Sequence, residues 1–218
     1  MSTHAMQGIV NHGRRAFCAL LLALVHLGPA IAEDKAPSIL VMGDSLSAAH
    51  GLRTEQGWVD LLGRELQARP GGWRVVNASI SGETTAGGAA RIDDEIARHR
   101  PRIVVIELGA NDGLRGLPLD IATANLRRMI LAAQAGGARV LLVGMKIPPN
   151  YGGDYTQAFE RMFADLAREY RLPLLPFLLA PIATDRSNFQ EDNLHPNAEV
   201  QPLLMRLVLT SLDPMLGK

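Results

Sequence analysis

A serine that follows a short apolar run is the residue of this chain best placed to do chemistry. The run Ile39-Leu40-Val41-Met42 has the composition of a buried strand, and Gly43-Asp44-Ser45 follows it directly. In open α/β sheets, ligands bind in the crevice outside the carboxyl ends of the strands. A serine hydroxyl at that position is a candidate nucleophile, provided that a base can take its proton.

A histidine near the C-terminus is the candidate base for Ser45. Without the N-terminal leader described below, the chain would retain three histidines, His50, His99 and His195. Helical spacing would turn His50 away from Ser45, and His99 precedes a predicted strand at the opposite edge of the sheet. Asp192, three residues before His195, can accept the Nδ1 proton and leave Nε2 facing Ser45. The predicted catalytic residues are therefore Ser45, His195 and Asp192.

Acyl transfer also needs hydrogen-bond donors for the negative charge that develops on the substrate oxygen. Three groups near predicted strand ends could supply them: the backbone N–H of Ser45, the backbone N–H of Gly82 and the side-chain amide of Asn111. The Ser45 N–H would lie at the start of a helix, and a glycine lets its N–H approach a substrate closely. Each residue alone has an ordinary structural explanation, but the three together favour an oxyanion hole.

Alternating strand and helix patterns predict the frame that positions these residues. Apolar runs predict five strands, at residues 38–42, 74–77, 103–108, 139–144 and 173–176. Amphipathic runs predict five helices, at residues 57–68, 86–98, 119–135, 155–170 and 198–212. Several strands are apolar without alternation, as in parallel sheets that are covered on both faces. The pattern predicts an α/β fold, a three-layer α/β/α sandwich with a five-stranded parallel sheet. The pattern does not give the strand order directly, and 2-1-3-4-5 is the usual order for a sheet of this size.

Four blocks of the sequence resemble those of the SGNH (GDSL) hydrolase superfamily. They are Gly43-Asp44-Ser45-Leu46, Gly82, Gly109-Ala110-Asn111-Asp112 and Asp192-x-x-His195. The flanking residues are similar to the bacterial thioesterase I / protease I / lysophospholipase L1 group and related arylesterases, over residues 37–212. This resemblance implies a flavodoxin-like fold, a Ser-His-Asp triad, no metal or other cofactor, and small acyl esters or thioesters as substrates. Ser45 lacks the Gly-x-Ser-x-Gly elbow of the α/β-hydrolases.

Two loop segments could line a groove for an acyl chain. Residues 113–118 and 146–151 combine apolar side chains with Gly or Pro, and the candidate substrate-binding residues are Leu114, Leu117, Ile147, Pro148 and Tyr151. The glycines that flank Leu114-Arg115 are compatible with a movable flap. A passive surface loop explains the same composition equally well.

The sequence is also compatible with two other functions. A carbohydrate O-acetylesterase would need polar groups around a shallow pocket, whereas the two loop segments are apolar. A non-catalytic binding module of flavodoxin-like fold would leave Ser45 inert.

Three further polar residues, Asp44, Asn77 and Asp112, are expected to brace their loops, with Asp44 capping a helix that begins near Ser45.

The first 32 residues have the features of a secretory signal peptide. Arg14 and Arg15 precede an apolar run, and Ala30-Ile31-Ala32 offers small residues for cleavage. The run is too short to span a bilayer, although an uncleaved anchor is the alternative. We expect residues 33–218 to form a single domain that is periplasmic or secreted.

The charge of the chain argues against several classes of partner. Lysines and arginines number 22, as do aspartates and glutamates, and loss of a leader with two arginines would leave a net charge of −2. There is no basic stripe of the kind that binds nucleic acid. No segment after the leader is apolar enough to span a membrane. The sequence does not determine the oligomeric state, and a monomer is the expectation.

Overall fold

A five-stranded parallel sheet forms the centre of the computed structural model, which describes residues 36–217. The predicted leader therefore lies outside the described residues. The strands are β1 (Ser38–Gly43), β2 (Arg74–Asn77), β3 (Ile103–Glu107), β4 (Arg139–Val143) and β5 (Leu174–Leu175). The α-helices are α1 (Trp58–Gln67), α2 (Thr85–His99), α3 (Ala110–Leu114), α4 (Leu119–Ala135), α5 (Gly153–Tyr170) and α6 (Gln201–Leu216).

The order of the strands is β2-β1-β3-β4-β5, which confirms the predicted order. Val41 of β1 lies opposite Asn77 of β2 and Val105 of β3, and Gly43 lies opposite Glu107. Because neighbouring strands run in the same direction, their carboxyl ends meet at one edge of the sheet. The segments that follow β1, β2 and β3 therefore begin side by side.

Helices cover the sheet, and apolar side chains fill the layers between them. Every residue of β1 and β3 is buried, as expected for strands with no solvent-facing side. Helix α1 packs against α6, and α2 packs against α4. Among residues 36–217, none of the helices combines the length and the hydrophobicity that crossing a bilayer requires.

Helix α5 supports the loop that follows β3. Two of its side chains, Phe159 and Phe163, meet edge to face with ring centroids 5.3 Å apart. A Cβ added at Gly109 would lie 3.1 Å from Phe163 Cζ, and one added at Gly113 would lie 2.7 Å from Phe159 Cε2. The glycines on either side of Asn111 thus allow its loop to lie directly on the aromatic side chains of α5.

Three local details differ from the sequence predictions. Residues 45–50 form turns rather than a regular helix, with Ala49 in the left-handed region at φ 56°. The short helix α3 was not predicted, because five residues are too few to show a helical period. Helix α6 begins three residues later than predicted, after a 3₁₀ turn at Ala198–Val200, and continues through Pro214.

Candidate active site

Ser45, His195 and Asp192 form one chain of hydrogen bonds at the carboxyl edge of the sheet. Ser45 Oγ lies 2.8 Å from His195 Nε2, and His195 Nδ1 lies 2.7 Å from Asp192 Oδ2. A neutral imidazole that donates its Nδ1 proton to the carboxylate has a free lone pair on Nε2. In that tautomer the Ser45 hydroxyl donates to His195, which is the arrangement needed for proton removal from a serine nucleophile.

The loop before α6 holds Asp192 and His195 by local hydrogen bonds. Asp192 Oδ1 accepts from the backbone N–H groups of Leu194 (2.9 Å) and His195 (3.0 Å). Burial acts to raise the pKa of Asp192, but the backbone and side-chain hydrogen bonds from His195 and the Leu194 N–H lower it to about 2. Asp192 is therefore ionised at neutral pH, and its second oxygen remains directed at the imidazole.

Two buried carboxyl groups lie directly beneath the nucleophile. Glu107, at the end of β3, accepts from Ser47 Oγ at 2.6 Å and from the Asp44 N–H at 3.4 Å. Asp44 accepts from the Leu46 N–H at 3.0 Å and from Asn111 Nδ2 at 3.1 Å. Gly43 makes this packing possible, because a Cβ there would lie 2.7 Å from Ser47 Oγ. Asp44 thus braces the turn that carries Ser45 rather than capping a helix, because residues 45–50 form turns, and it also contacts Asn111 after β3.

Burial changes the ionisation of both carboxyl groups. It raises the pKa of Asp44 to about 6, against the opposing effects of the Leu46 N–H, the electrostatic influence of the His195 side chain and the Asn111 amide. Burial, together with the charge of Asp44, raises the pKa of Glu107 well above its ordinary value. Both carboxyl groups therefore hold a proton to a higher pH than an exposed carboxyl group does, because burial disfavours two negative charges side by side.

Two of the three predicted oxyanion donors are unoccupied. Within residues 36–217, neither the Ser45 N–H nor the Gly82 N–H has a hydrogen-bond acceptor. Gly82 has φ 80°, a conformation that residues with a Cβ rarely adopt. Asn111 also reaches the site, but its Nδ2 donates both to Asp44 Oδ2 and to Glu83 O, each at 3.1 Å. To accept from Asn111, an oxyanion would therefore have to share one N–H with Asp44 Oδ2 or with Glu83 O.

The expectation that His50 faces away from the site is wrong. Its ring centroid lies 4.3 Å from that of His195, with the ring planes 38° apart. The expectation assumed a regular helix after Ser45, whereas the His50 N–H bonds to Ser45 O at 3.2 Å in a wider turn. His99 lies elsewhere, as predicted, at the C-terminal end of α2, where its Nε2 is 3.3 Å from Glu95. The positive φ of Ala49, which redirects the chain, has no sequence signal.

The other two bracing residues occupy the predicted positions. Asn77 donates to Ser47 O at 2.8 Å and accepts from the Ser79 N–H at 3.1 Å. The buried carboxylate of Asp112 accepts from the backbone N–H of Thr85 at 2.9 Å and from its hydroxyl at 2.6 Å. Asn77 thus connects the loop after β2 to the turn after β1, and Asp112 connects the segments after β2 and β3, which carry Gly82 and Asn111.

A cavity of about 650 Å³ opens beside Ser45 and His195. Leu114, Ile147 and Pro148 line it as predicted, whereas Leu117 and Tyr151 do not. Most of the other apolar lining residues were not predicted; these other residues are Leu46, Ala110, Met145, Pro149, Phe177, Leu179, Ala183, Phe189 and Leu194. Several of them follow β4 and β5, so their position just after a predicted strand is the sequence feature that could have identified them as lining residues.

Hydrogen bonds fix the loop at residues 113–118. The glycines around Leu114-Arg115 were compatible with a movable flap there. Tyr151 donates to Leu114 O at 2.7 Å, which explains why its ring lies outside the cavity. Tyr155 donates to Leu117 O at 2.8 Å, and Arg115 donates to Gly82 O at 3.0 Å. In this conformation the loop is held against both the 3₁₀ turn at Pro149–Tyr151 and the segment that carries Gly82.

Comparison with known proteins identifies the family. The family model described as "GDSL-like Lipase/Acylhydrolase family" matches residues 41–201, which span all four sequence blocks. The chain belongs to this family. The GDSL-like relatives include esterase TesA of Pseudomonas aeruginosa, 46% identical over 184 residues, which cover 84% of this chain and 92% of that protein. Thioesterase 1/protease 1/lysophospholipase L1 of Escherichia coli is 37% identical over 182 residues, covering 84% and 86% of the two chains.

A solved GDSL-like structure has the same fold. The psychrotrophic esterase EstA from Pseudoalteromonas sp., whose structure was determined as inhibited by monoethylphosphonate, superposes with a TM-score of 0.79. It is 40% identical, and the match covers 83% of this chain and 99% of that chain. The predicted flavodoxin-like sandwich is therefore the fold of this GDSL-like protein.

Proposed function

We propose that this protein is a serine hydrolase that cleaves small carboxylic esters and thioesters through an acyl-enzyme. The observation that carries the proposal is the continuous hydrogen-bonded chain from Ser45 Oγ through His195 to Asp192, with contacts of 2.8 Å and 2.7 Å. Membership of the GDSL-like family, and relatives that are named esterase and thioesterase, point to the same chemistry.

The reaction proceeds in two acyl-transfer steps. Ser45 Oγ attacks the carbonyl carbon of the substrate while its proton passes to His195 Nε2. The tetrahedral intermediate collapses, the alcohol or thiol leaves with the proton from His195, and the acyl group remains on Ser45. Water then attacks the acyl-enzyme while His195 takes its proton, and collapse of the second intermediate releases the carboxylic acid and regenerates Ser45. Asp192 keeps Nδ1 protonated and stabilises the imidazolium that forms in both steps.

The Ser45 and Gly82 backbone N–H groups are the main oxyanion donors in this mechanism. Both lack another acceptor among residues 36–217, so they can bond to the developing charge without breaking an existing contact. The Asn111 amide is the third donor. Asp44 Oδ2 and Glu83 O accept from the Asn111 nitrogen and hold it at the edge of the cavity. To stabilise the oxyanion, one of these two N–H groups must also donate to the substrate oxygen.

The shape of the cavity favours an acyl group with an apolar chain. Side chains of Met145, Ile147, Phe177 and Leu179 line the region beyond the nucleophile. Each methylene that moves from water into such a lining contributes about 0.8 kcal/mol, or roughly fourfold in selectivity. Acyl chains of several carbons should therefore be better substrates than acetyl esters. A carbohydrate O-acetylesterase would show the opposite preference.

Labelling with a fluorophosphonate probe tests the proposal. We expect one label per chain on Ser45, loss of labelling in Ser45→Ala, and loss of esterase and thioesterase turnover by several orders of magnitude with the fold intact. Ser81→Ala is the matched control, because Ser81 also lines the cavity but makes no hydrogen bond to the His195 ring, which bonds to Ser45 and Asp192. Full hydrolysis by Ser45→Ala would end the proposal, and an unlabelled wild-type protein without hydrolysis would indicate a binding module.

We also propose that residues 1–32 direct the protein out of the cytoplasm and are removed. Arg14 and Arg15, the apolar run and the small residues at Ala30 and Ala32 support this assignment. Sequencing the N-terminus of the protein from a periplasmic fraction should show a start at or near Glu33. A chain that begins at the initiating methionine and stays with the membrane would support an uncleaved anchor instead.

A further inference from the structure

His50 lies beside the proposed base His195, and the two form a cluster with Asp192. The proposed hydrolysis has no role for His50. One ligand atom each from His50, His195 and Asp192 lie within 4.8 Å of one another. His50 is exposed, and within residues 36–217 neither of its ring nitrogens has a hydrogen-bond partner. A second imidazole with two unused nitrogens thus lies next to the His195 ring.

Contacts from one glutamine hold the two histidines together. The side-chain amide of Gln190 donates to His50 O at 2.8 Å and to Pro196 O at 3.1 Å. The Gln190 backbone N–H donates to His195 O at 2.8 Å. The turn after β1 and the loop before α6 are therefore joined at the residues that carry the two rings. Hydrogen bonds within the folded protein therefore keep His50 beside His195.

His195 already has the orientation of a metal-binding histidine. Ligand histidines in zinc sites commonly donate their other ring N–H to a carboxylate, which fixes the tautomer and increases the basicity of the ligating nitrogen. Asp192 makes this contact with Nδ1 of His195 at 2.7 Å, so Nε2 carries the lone pair. The hydrogen-bonding arrangement that prepares a general base also prepares a zinc ligand.

The spacing of the two imidazoles fits a single ion after a small movement. Zinc binds imidazole nitrogen at about 2.0–2.1 Å, so two nitrogens on one tetrahedral ion lie about 3.3 Å apart. Because the ligand atoms of His50 and His195 lie within 4.8 Å of each other, the exposed His50 side chain has to approach His195 by at most about 1.5 Å. Nitrogen ligands favour zinc, copper and nickel, whereas magnesium and calcium prefer oxygen.

We propose that His50 and His195 form a binding site for a zinc-class divalent ion that reversibly inhibits this enzyme. The ion binds the lone pair of His195 Nε2, which then cannot accept the Ser45 proton, and water or Ser45 Oγ completes its coordination. The inhibition rests on the proposed hydrolytic function, whereas binding of the ion does not. The metal is a regulator of the site and takes no part in hydrolysis.

The test measures zinc binding and inhibition separately on untagged, chelator-treated protein. Calorimetric titration with zinc chloride should show a zinc site in the wild type, and the affinity of this site should fall in His50→Gln. Loss of a residue that only hydrogen-bonds to a metal ligand lowers metal affinity by roughly 10- to 100-fold, and loss of a direct ligand should lower it by more. His99→Gln is the matched control, since His99 contacts Glu95 away from the site. All variants share the same N-terminal segment, so histidines there contribute equally. Cobalt(II) at the same site should give visible absorption that His50→Gln abolishes.

Hydrolysis of a p-nitrophenyl ester supplies the second measurement. Zinc should inhibit the wild type and His99→Gln over the concentration range in which it binds, and a chelator should restore the rate. The inhibition constant of His50→Gln should rise by the same factor as its dissociation constant. Ser45→Ala, which retains both imidazoles, should still bind zinc, so a failure of the hydrolase proposal would leave the binding result intact. Equal zinc affinity in the wild type and His50→Gln would overturn the inference, as would inhibition that is unchanged in His50→Gln.

Discussion

The carboxylate of Asp44 accepts a hydrogen bond from the side-chain amide of Asn111 at 3.1 Å. This contact joins the residue just before the nucleophile to the loop that follows the neighbouring strand β3. The other Asn111 N–H bonds to Glu83 O, in the segment that follows Gly82. One amide thus connects the three backbone segments that carry the proposed nucleophile and the oxyanion donors.

Replacement of this amide should affect the transition state more than substrate binding. Loss of one oxyanion donor typically costs about 2.7–4 kcal/mol, or 10²–10³ in rate, so we expect Asn111→Ala to lower kcat by that factor. Asn125→Ala is the control, because Asn125 braces Thr85 from α4 at 3.2 Å and does not line the cavity. Steady-state kinetics with a single ester would decide, and an effect confined to KM would contradict the role.

The raised pKa of Glu107 predicts that glutamine can replace it. Glutamine is uncharged, has nearly the same shape and can accept from Ser47 Oγ, so Glu107→Gln should not lower the free energy of unfolding at pH 7 and should raise it, because the cost of burying an ionisable group is removed. Glu107→Ala leaves a void and an unpaired buried hydroxyl, and should cost about 2–4 kcal/mol. Urea denaturation at pH 7 measures both. Equal losses in the two variants would show that the native protein needs the ionised carboxylate.

The raised pKa of Asp44 predicts a specific dependence of stability on pH. Its value increases from 3.8 in the unfolded chain to about 6 in the folded protein. The folded state therefore holds this proton more tightly, and the resulting stability is fully present below pH 3.8 and is lost as the pH rises through 6. At 1.36 kcal/mol per pKa unit the loss is about 3 kcal/mol.

Comparison with Asp44→Asn isolates this contribution. Free energies of unfolding should be measured for both proteins between pH 4 and pH 7. The stability of the wild type relative to Asp44→Asn should decrease over this range. A difference that stays constant, or that increases with pH, would mean that burial does not dominate the ionisation of Asp44.

The apolar lining predicts selectivity for the length of the acyl chain. Leu114 lines the cavity and Leu117 does not, so the two form a matched pair on one loop. Leu114→Ala should lower kcat/KM for medium-chain esters by about tenfold, in the range typical of apolar pocket contacts, and should change acetyl ester hydrolysis much less. Leu117→Ala should leave both values near those of the wild type. A flat series from acetyl to palmitoyl p-nitrophenyl esters would exclude an acyl groove.

The sequence by itself determined the alternation of strands and helices, the strand-end position of Ser45 and the local pairing of Asp192 with His195, whereas the strand order was only the usual one for a sheet of this size. These features follow from patterns over a few residues: continuous apolar strands, amphipathic helices and a three-residue separation within one turn. A parallel sheet then brings distant strand ends to one edge, so the approach of Ser45 to His195 follows from their predicted positions after strands.

Only the tertiary structure decided which other side chains meet at that edge. The left-handed φ of Ala49 and the contacts of Gln190 place His50 beside His195, against the expectation from helical spacing. Burial between β1 and β3, rather than residue type, gives Asp44 and Glu107 their altered pKa values. Loop conformations and buried charges depend on hydrogen bonds and desolvation between residues far apart in the chain, and no local periodicity records them.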